Sequence, residues 1–305
     1  MSSSGAVSTR RLLVALDGSK LAETAVAIAC RLASALPAEI TLLHIMEHEP
    51  PATVHGESHL TTMVEAEAYL ARIAGRLQSE GLVATTHVHP NPQRDVAGSI
   101  AAHADELGAD LIVLAAHGRG GFRDWLVGRI PQLVTARAGR PVLIVPAPSP
   151  RKLEAIKRMM VPIDPGGEAR AALPIAERLG RALQAELLLL TVIPTPDTVP
   201  GEAGVATIFL PSTAASLLDW AEKQTRAELA DLAKKLADSG LAATAEVRRG
   251  DPARELIEAI ARHRVDLVII ATHARAGLDG LLSGSVGTSV VTSAPCPILL
   301  VPIRD

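Results

Sequence analysis

The chain has 305 residues, a formal net charge of −3, and 48% hydrophobic and 21% charged residues. This balance is typical of a folded globular protein, and the length is enough for two domains of roughly 150 residues each. The charge gives no basic excess for binding nucleic acid or anionic membranes. An aromatic share of only 2% leaves too few rings for a protein that stacks single-stranded bases.

The sequence shows no membrane or export signal. No apolar run approaches the roughly 18 residues of a membrane span, and the N-terminal MSSSGAVSTRR lacks the apolar core of a signal peptide. We therefore expect a cytoplasmic protein without a membrane partner. Cys30 and Cys296 lie one in each half, and we expect both to be unpaired thiols.

Strand-like and helix-like patterns alternate along the first half. Strands are predicted over residues 11–16, 39–46, 82–89, 110–115 and 141–146, and helices over 20–36, 59–80, 96–107 and 128–138. Residues 48–58 are expected to form a loop, and Pro90-Asn91-Pro92 is expected to end the third strand. Strict alternation of the two element types predicts a parallel sheet with helices on both faces.

The second half repeats this order. Strands are predicted over 158–163, 186–193, 241–248, 266–271 and 297–302, and helices up to 183 and over 215–239, 252–263 and 284–293. The same distance separates His117 from His273 and Gly128 from Gly284. This duplication predicts two tandem doubly wound, Rossmann-like α/β domains, 1–150 and 151–305, each with five mainly parallel strands flanked by helices. The apolar strands 141–146 and 297–302 are expected to pair edge to edge, because pairing removes an exposed edge.

Two features of each half point to a ligand. Asp17 and Asp164 follow the first strand of each half, at the sheet edge where such folds bind ligands. Their carboxylates could accept hydrogen bonds from a ribose or an adenine amino group, or could simply stabilise the strand-to-helix turn. The fourth strand of each half leads into a glycine-containing loop and a helix start, an arrangement that suits a phosphate.

These segments together resemble the tandem universal stress proteins. The resemblance is carried by VALD (14–17), VPID (161–164), LLHI (42–45), DLIVLAAHGRGG (110–121), DLVIIATHARAG (266–277), GRPVLIVP (139–146) and APCPILLVP (294–302). ATP-binding members of that family carry a Gly-x2-Gly-x9-Gly-(Ser/Thr) motif after the fourth strand. The first half keeps two of its glycines, but Ala115 and Arg129 replace the first glycine and the hydroxyl residue. The second half keeps the last pair and has alanines, Ala271 and Ala274, at the two earlier glycines.

The resemblance implies an adenine nucleotide such as ATP, with Mg²⁺ accompanying it, and a homodimer of tandem chains. In the first half the implied contacts are Ala15, Asp17, Ile45, Leu114, Ala115, His117, Gly118, Arg119, Gly128, Arg129 and Ile130. In the second half they are Pro162, Asp164, Val192, Ile270, His273, Gly284, Ser285 and Val286. The first half is the favoured binder, because alanine at position 274 disfavours the backbone geometry of a phosphate loop.

The function expected from these features is a stress-response protein that binds an adenine nucleotide as a regulator, with no dedicated catalytic residues and at most slow ATP hydrolysis. One alternative is a member that binds no nucleotide and acts through an unknown protein partner. A third hypothesis is metal binding by the histidines between His44 and His89, such as His87-x-His89. Surface and loop histidines are favoured over a metal site, because no cysteine lies near them.

Overall fold

The computed structural model describes residues 10–117, 129–147, 155–164, 168–195, 198, 211–272, 290 and 293–303. These residues form two compact units. The first contains the described residues up to Ala155, Thr272 and those from Pro295 onward. The second contains Ile156–Ala271 and the described residues between 284 and 294.

The elements follow the predicted alternating order. The strands are β1 (Arg11–Ala15), β2 (Glu39–Glu47), β3 (Thr53–Val54), β4 (Glu57–Ser58), β5 (Ala84–Gln93), β6 (Leu111–His117), β7 (Val142–Ala147), β8 (Arg158–Pro162), β9 (Glu186–Ile193), β10 (Ala243–Arg249), β11 (Leu267–Thr272) and β12 (Ile298–Pro302). The helices are α1 (Thr24–Ala35), α2 (Met63–Ser79), α3 (Val96–Glu106), α4 (Arg129–Arg137), α5 (Leu173–Leu183), α6 (Pro211–Asp238) and α7 (Pro252–Arg262). The predicted helix over 284–293 lies outside the described residues except at positions 290 and 293.

The first unit is built on a parallel sheet in the order β7-β6-β1-β2-β5. The chain moves outward from β1 to β2 and β5, then crosses back to β6 on the other side of β1. The strand order therefore reverses between β1 and β6, which is where open α/β sheets bind ligands. The central strand is fully buried at Leu12, Leu13 and Val14, so its apolar run reflects burial on both faces.

Local side-chain bonds explain where the helices of this unit begin. Thr62 and Glu65 form a capping box at the start of α2, so the helix begins at Met63 rather than at the predicted residue 59. The Asp95 carboxylate accepts a hydrogen bond from the Gly98 N–H and caps α3.

Two predictions for the first half are wrong. Residues 48–58 contain a short hairpin, β3 paired antiparallel with β4, instead of a plain loop. The strand β5 continues through Pro90-Asn91-Pro92 to Gln93, with an irregular register opposite Ile45 and Glu47. Proline is tolerated there because β5 is the outer strand of the order above, and an outer strand needs ladder donors on one side only.

The second unit repeats the parallel arrangement, with β10-β9-β8-β11 as neighbours. A 3-10 turn at Glu168–Ala172 precedes α5, and α7 is capped by the Asp251 carboxylate, which accepts from the Arg254 N–H. The mainly parallel α/β fold predicted for the chain is confirmed.

The last strand, β12, pairs antiparallel with β7 through Ile298–Ile144, Leu299–Leu143 and Leu300–Val142. The predicted edge pairing of these two apolar strands is confirmed, and all six side chains are buried. Neither Cys30 nor Cys296 forms a disulfide bond in the described part of the chain. None of the described helices is long and apolar enough to span a lipid bilayer.

Candidate functional site

A cavity of about 250 Å³ opens at the carboxyl ends of β1, β2 and β6 in the first unit. It lies at the point where the strand order reverses. The described residues that line it are Ala15, Leu16, Asp17, Ala22, Leu43, Ile45, Glu47, Val54, His55, Val96, Ile100, Leu114, Ala115, Ala116, Ile130 and Pro131. Its volume is slightly below the roughly 300–1,000 Å³ of typical small-molecule sites.

The floor of the cavity is apolar. Ala15 pairs with Leu43 on β2, and Ile45 and Leu114 continue the same surface on the neighbouring strands. Paired residues of parallel strands place their side chains on the same face of a sheet. Helix α3 covers this face with Val96 and Ile100, and the start of α4 adds Ile130 and Pro131. An apolar cavity of this kind suits an aromatic ring.

The rim of the cavity carries carboxylates, and the first belongs to Asp17. Its Oδ1 accepts hydrogen bonds from the Ser19 N–H at 2.9 Å and from the Ser19 hydroxyl at 2.7 Å. Its Oδ2 lies 3.6 Å from Nε2 of His55 at the tip of the β3–β4 hairpin. Asp17 therefore stabilises the turn after β1, which is one of the two roles considered for it from the sequence, and it also lines the cavity.

The second rim carboxylate belongs to Glu47, two residues beyond Ile45 on β2. Its Oε1 lies 3.6 Å from Nε2 of His59, whose side chain is only 1% exposed. His44 is also buried, and its Nδ1 lies 2.8 Å from the Leu16 carbonyl oxygen. The expectation that the histidines of this region lie on the surface or in loops is therefore wrong for His44, whereas His59 lies in a loop but is buried.

The structure places the predicted contacts of the first half as follows. Six of them line the cavity: Ala15, Asp17, Ile45, Leu114, Ala115 and Ile130. His117 ends β6 and Arg129 begins α4. Gly118, Arg119 and Gly128 lie outside the described residues.

The predicted contacts of the second half lie at the carboxyl ends of adjacent strands. Pro162 ends β8, Val192 is near the end of β9, and Ile270 is near the end of β11. The Asp164 side chain is exposed, and its Oδ1 accepts a hydrogen bond from the Ala169 N–H at 2.8 Å. His273, Gly284, Ser285 and Val286 lie outside the described residues.

Sequence reasoning missed one wall of the cavity. Val54 and His55 come from the hairpin, and Val96 and Ile100 come from α3. The helical periodicity of the sequence did predict that Val96 and Ile100 lie on a helix. No local pattern shows that the helix face carrying them approaches the end of β2, because that contact depends on the crossover from β5.

The C-terminal half of α3 is connected to β5 by a chain of hydrogen bonds through two histidines, His103 and His89. Nδ1 of His103 lies 2.8 Å from the Ser99 carbonyl oxygen, so this nitrogen carries the proton and Nε2 is an acceptor. The Nδ1–H of His89 then donates to Nε2 of His103 at 3.2 Å. The Gln93 amide completes the chain by donating to Nε2 of His89 at 2.9 Å. All three bonds are formed only when His89 and His103 are neutral.

Acidification is therefore expected to destabilise the protein below about pH 6.5, the ordinary pKa of histidine. Burial, followed by the neighbouring charge of His103, lowers the pKa of His87 and of His89. Burial also lowers the pKa of His44. Because these folded-state values lie below those of the unfolded chain, the folded protein binds fewer protons in acid. The stabilisation that the neutral histidines provide is fully present above the pKa of histidine in the unfolded chain. It is lost as the pH falls through the lower pKa values of these histidines in the folded protein.

Urea titrations between pH 7.5 and 5 measure this effect. The free energy of unfolding is expected to fall with pH in the wild type and to fall less in His89→Gln, which keeps an amide beside His103 but does not titrate. His48→Gln is the control, since this half-exposed residue lies outside the chain of bonds. If the free energy of unfolding changed equally with pH in the wild type and in His89→Gln, the hydrogen-bonded histidines would have no part in the pH dependence of stability.

Within the described part of the chain, no group of three or more histidine, cysteine, aspartate or glutamate side chains is arranged to hold a metal ion. His87 and His89 face His103, with ring centres 4.9 and 4.8 Å from its ring. The structure gives the metal hypothesis no site among these residues.

Comparison with known proteins supports the fold and identifies the family. A model of the Universal stress protein family matches residues 8–146 and 155–302. A universal stress protein of Mycolicibacterium smegmatis is 26% identical over 311 residues, covering 96% of this chain and 97% of that protein. The universal stress protein Rv2005c of Mycobacterium tuberculosis is 29% identical over 204 residues, covering 63% of this chain and 61% of that protein.

Solved structures show the same fold over the full chain. The crystal structure of a universal stress protein from Archaeoglobus fulgidus has a TM-score of 0.71 at 16% sequence identity and covers 98% of both chains. Two copies of the family domain thus account for nearly the whole sequence. The chain belongs to the universal stress protein family, as a tandem member.

Proposed function

We propose that the protein is a stress-response regulator that binds an adenine nucleotide in the cavity of its first half. The observation that carries this proposal is the cavity itself, which brings together six residues named from the sequence at the switch point of the sheet. An apolar slot with a few polar groups at one rim is the usual form of a small-molecule site.

The chemistry of the lining fits the parts of a nucleotide. The adenine ring lies between the floor around Ile45 and the side chains of α3, where its apolar faces are removed from water. Asp17 accepts hydrogen bonds from the nucleoside. The phosphates extend toward the start of α4, because a helix N-terminus favours negative charge, and Ile130 and Pro131 already place this start at the cavity. With ATP, Mg²⁺ accompanies the phosphates.

The proposal extends to how the nucleotide acts. Binding changes the conformation of the chain or its choice of protein partner, and ATP is hydrolysed slowly at most. The protein works in the cytoplasm as a homodimer of tandem chains. The second candidate function, contact with protein partners without a nucleotide, remains open because Ala115 and Arg129 depart from the family's ATP-binding motif.

The substitution Asp17→Asn tests the site. We expect it to weaken AMP and ATP binding by about tenfold or more, because a hydrogen bond to a charged group contributes roughly 1.5–3 kcal/mol. Isothermal titration calorimetry measures the change. Asp231→Asn is the control, since this exposed carboxylate on α6 pairs only with Lys235 among the described contacts.

Asp164→Asn is the matched test of the second half. The changed loop there, with Ala274 in place of a glycine, leads us to expect a smaller loss than for Asp17→Asn. Nucleotide binding that is unaffected by Asp17→Asn and lost with Asp164→Asn would move the site to the second half.

A further inference from the structure

One face of α3 carries both cavity residues and a buried histidine. Val96 and Ile100 line the cavity, and His103 follows Ile100 by three positions, so these side chains share one side of the helix. His103 is buried and is bonded through His89 to Gln93 on β5. This histidine link, formed by His103, His89 and Gln93, therefore helps to hold α3 in its place over the cavity.

The second half has a corresponding strand and helix, and the strand registers show which residues match. Rows across the two sheets run Ala15–Leu43–His87 and Pro162–Leu190–Glu246. Two residues further along the outer strands, His89 of β5 matches Arg248 of β10. The helices α3 and α7 both begin after a capping aspartate, and Ser99 and Glu255 match because each lies four residues after it.

The link between strand and helix in the second half is made of charged groups. Nη1 of Arg248 donates to the Glu255 carbonyl oxygen at 2.8 Å, and its Nε lies 3.0 Å from the Glu255 carboxylate. Nε2 of His263, which follows α7, lies 2.6 Å from a carboxylate oxygen of Glu246. Guanidinium and carboxylate groups keep their charges from about pH 5 to 8, and a protonated histidine bonds a carboxylate more strongly than a neutral one. Mild acid therefore leaves this link in place.

The histidine link of the first half requires neutral rings. The Gln93 amide that donates to Nε2 of His89 also donates to the Asn91 carbonyl oxygen at 3.1 Å, which fixes the orientation of the amide. Nε2 of His89 is therefore an acceptor, and the Nδ1–H of His89 donates to Nε2 of His103. A proton added to either acceptor nitrogen places two donors face to face. Mild acid therefore breaks this link.

Ionisable groups on the elements around the histidine link do not remove this effect. They are His87 on β5, Glu106 on α3, Glu47 on β2, which pairs with His59, and Arg137 on α4, which pairs with Asp95. Glu106 favours protonation of His87 and His89. Burial and the charge of His103 outweigh it and hold the pKa of both histidines below its usual value.

We propose that the histidine link makes the cavity of the first half a pH-dependent site, which holds its ligand at pH 7.5 and binds it more weakly as the pH falls toward 5.5. This inference rests on the proposed nucleotide function and adds its regulation. In acid the C-terminal half of α3 separates from β5, and Ile100 loses its place against the ligand. His89 and His103 are positioning residues that act through α3. The matching link of the second half, through Arg248, keeps α7 in place over the same pH range.

Calorimetric titration of the full chain with AMP at pH 7.5 and pH 5.5 tests the inference. We expect the affinity for AMP to fall roughly three- to tenfold more in the wild type than in His89→Gln, because one proton that competes with the ligand weakens binding by up to about tenfold per pH unit below its pKa. The glutamine amide offers a donor and an acceptor, so it bonds to His103 in either protonation state. The AMP phosphate titrates at about pH 6 in every measurement, so the difference between the variants is the measured quantity.

A triple variant transfers the link of the second half to the first. It combines His89→Arg, Ser99→Glu and His103→Ala, the residue types at the matching positions of the second half. Its affinity for AMP should change with pH no more than that of His89→Gln. His48→Gln is the control, since this histidine lies outside the link, and it should follow the wild type at both pH values.

The outcomes separate the two proposals. If the wild type binds AMP at pH 7.5 and loses affinity at pH 5.5 by the same factor as His89→Gln and the triple variant, the pH inference is overturned and nucleotide binding stands. A wild type that loses no affinity in acid would overturn the inference in the same way. Absence of AMP binding by the wild type at pH 7.5 would overturn the proposed function and the inference with it.

Discussion

Ala15→Phe is expected to abolish adenine-nucleotide binding, with a loss of affinity of at least about 100-fold, or about 2.8 kcal/mol. Ala15 is the small residue at the end of β1, next to Leu43 on the cavity floor. A phenyl ring at this position occupies the slot in which the adenine is proposed to lie. Because the ring enters an existing cavity, the free energy of unfolding should change by no more than about 1–3 kcal/mol.

Calorimetry with AMP and urea titration of the same preparation measure the two quantities. Ala71→Phe is the matched control, since it adds the same ring at an exposed position of α2 and should bind AMP as the wild type does. Retention of wild-type affinity in a folded Ala15→Phe protein would place the nucleotide elsewhere.

Gly18→Ala is expected to destabilise the protein by about 2–4 kcal/mol. Gly18 has a φ of +95°, which L side chains rarely adopt, and a Cβ there would lie 2.8 Å from Cγ of Leu60. The backbone strain contributes about 1 kcal/mol or more, and the overlap adds about 1–3 kcal/mol. The same overlap displaces the 52–60 segment from the rim, so AMP binding should weaken in parallel with stability.

The variant Gly81→Ala separates the cost of backbone strain from the cost of steric overlap. Gly81 has a similar φ of +82°, and no atom lies within 4 Å of its added Cβ, so this variant should lose only the strain part, about 1 kcal/mol. Combining Gly18→Ala with Leu60→Ala should remove the overlap, and the pair should then show a coupling energy in a double-mutant cycle. Equal losses for Gly18→Ala and Gly81→Ala would contradict close packing of Leu60.

The sequence was sufficient to predict elements whose signals are local. The apolar runs of β1 and β6 are strands that are buried in the sheet interior, and the duplicated order of elements by itself predicts two α/β domains. The residues at strand ends, such as Asp17 and Ile45, could be assigned to one edge of the sheet because parallel strands end at the same edge. The structure brings those two residues to the same cavity.

The parts that escaped prediction depend on distant contacts. In the sequence, Pro90 and Pro92 predict the end of a strand. They are compatible with a strand only because β5 is the outer strand of its sheet. The hairpin at 53–58 is too short for a periodic signal. The packing of Leu60 on Gly18 and the bonding of His89 to His103 join residues that no spacing rule connects. These contacts shape the rim of the cavity and the support of α3, which is why the site was predicted only in part.

The site also shows why the family's glycine motif is an incomplete guide to this chain. Ala115 stands at the motif's first glycine, yet it lies in β6 and lines the cavity. The proposed nucleoside part of the site is built mainly by the ends of β1 and β2, by α3 and by the 52–60 segment, none of which belongs to that motif. Loss of one glycine therefore leaves this part of the site intact.

The most direct test of the central claim is calorimetric titration of the purified wild-type chain with AMP and ATP, after removal of any nucleotide carried through purification. We expect saturable binding of an adenine nucleotide in the first half, together with a higher melting temperature when the ligand is present. Absence of binding heat, of a shift in melting temperature and of nucleotide released on denaturation would contradict it.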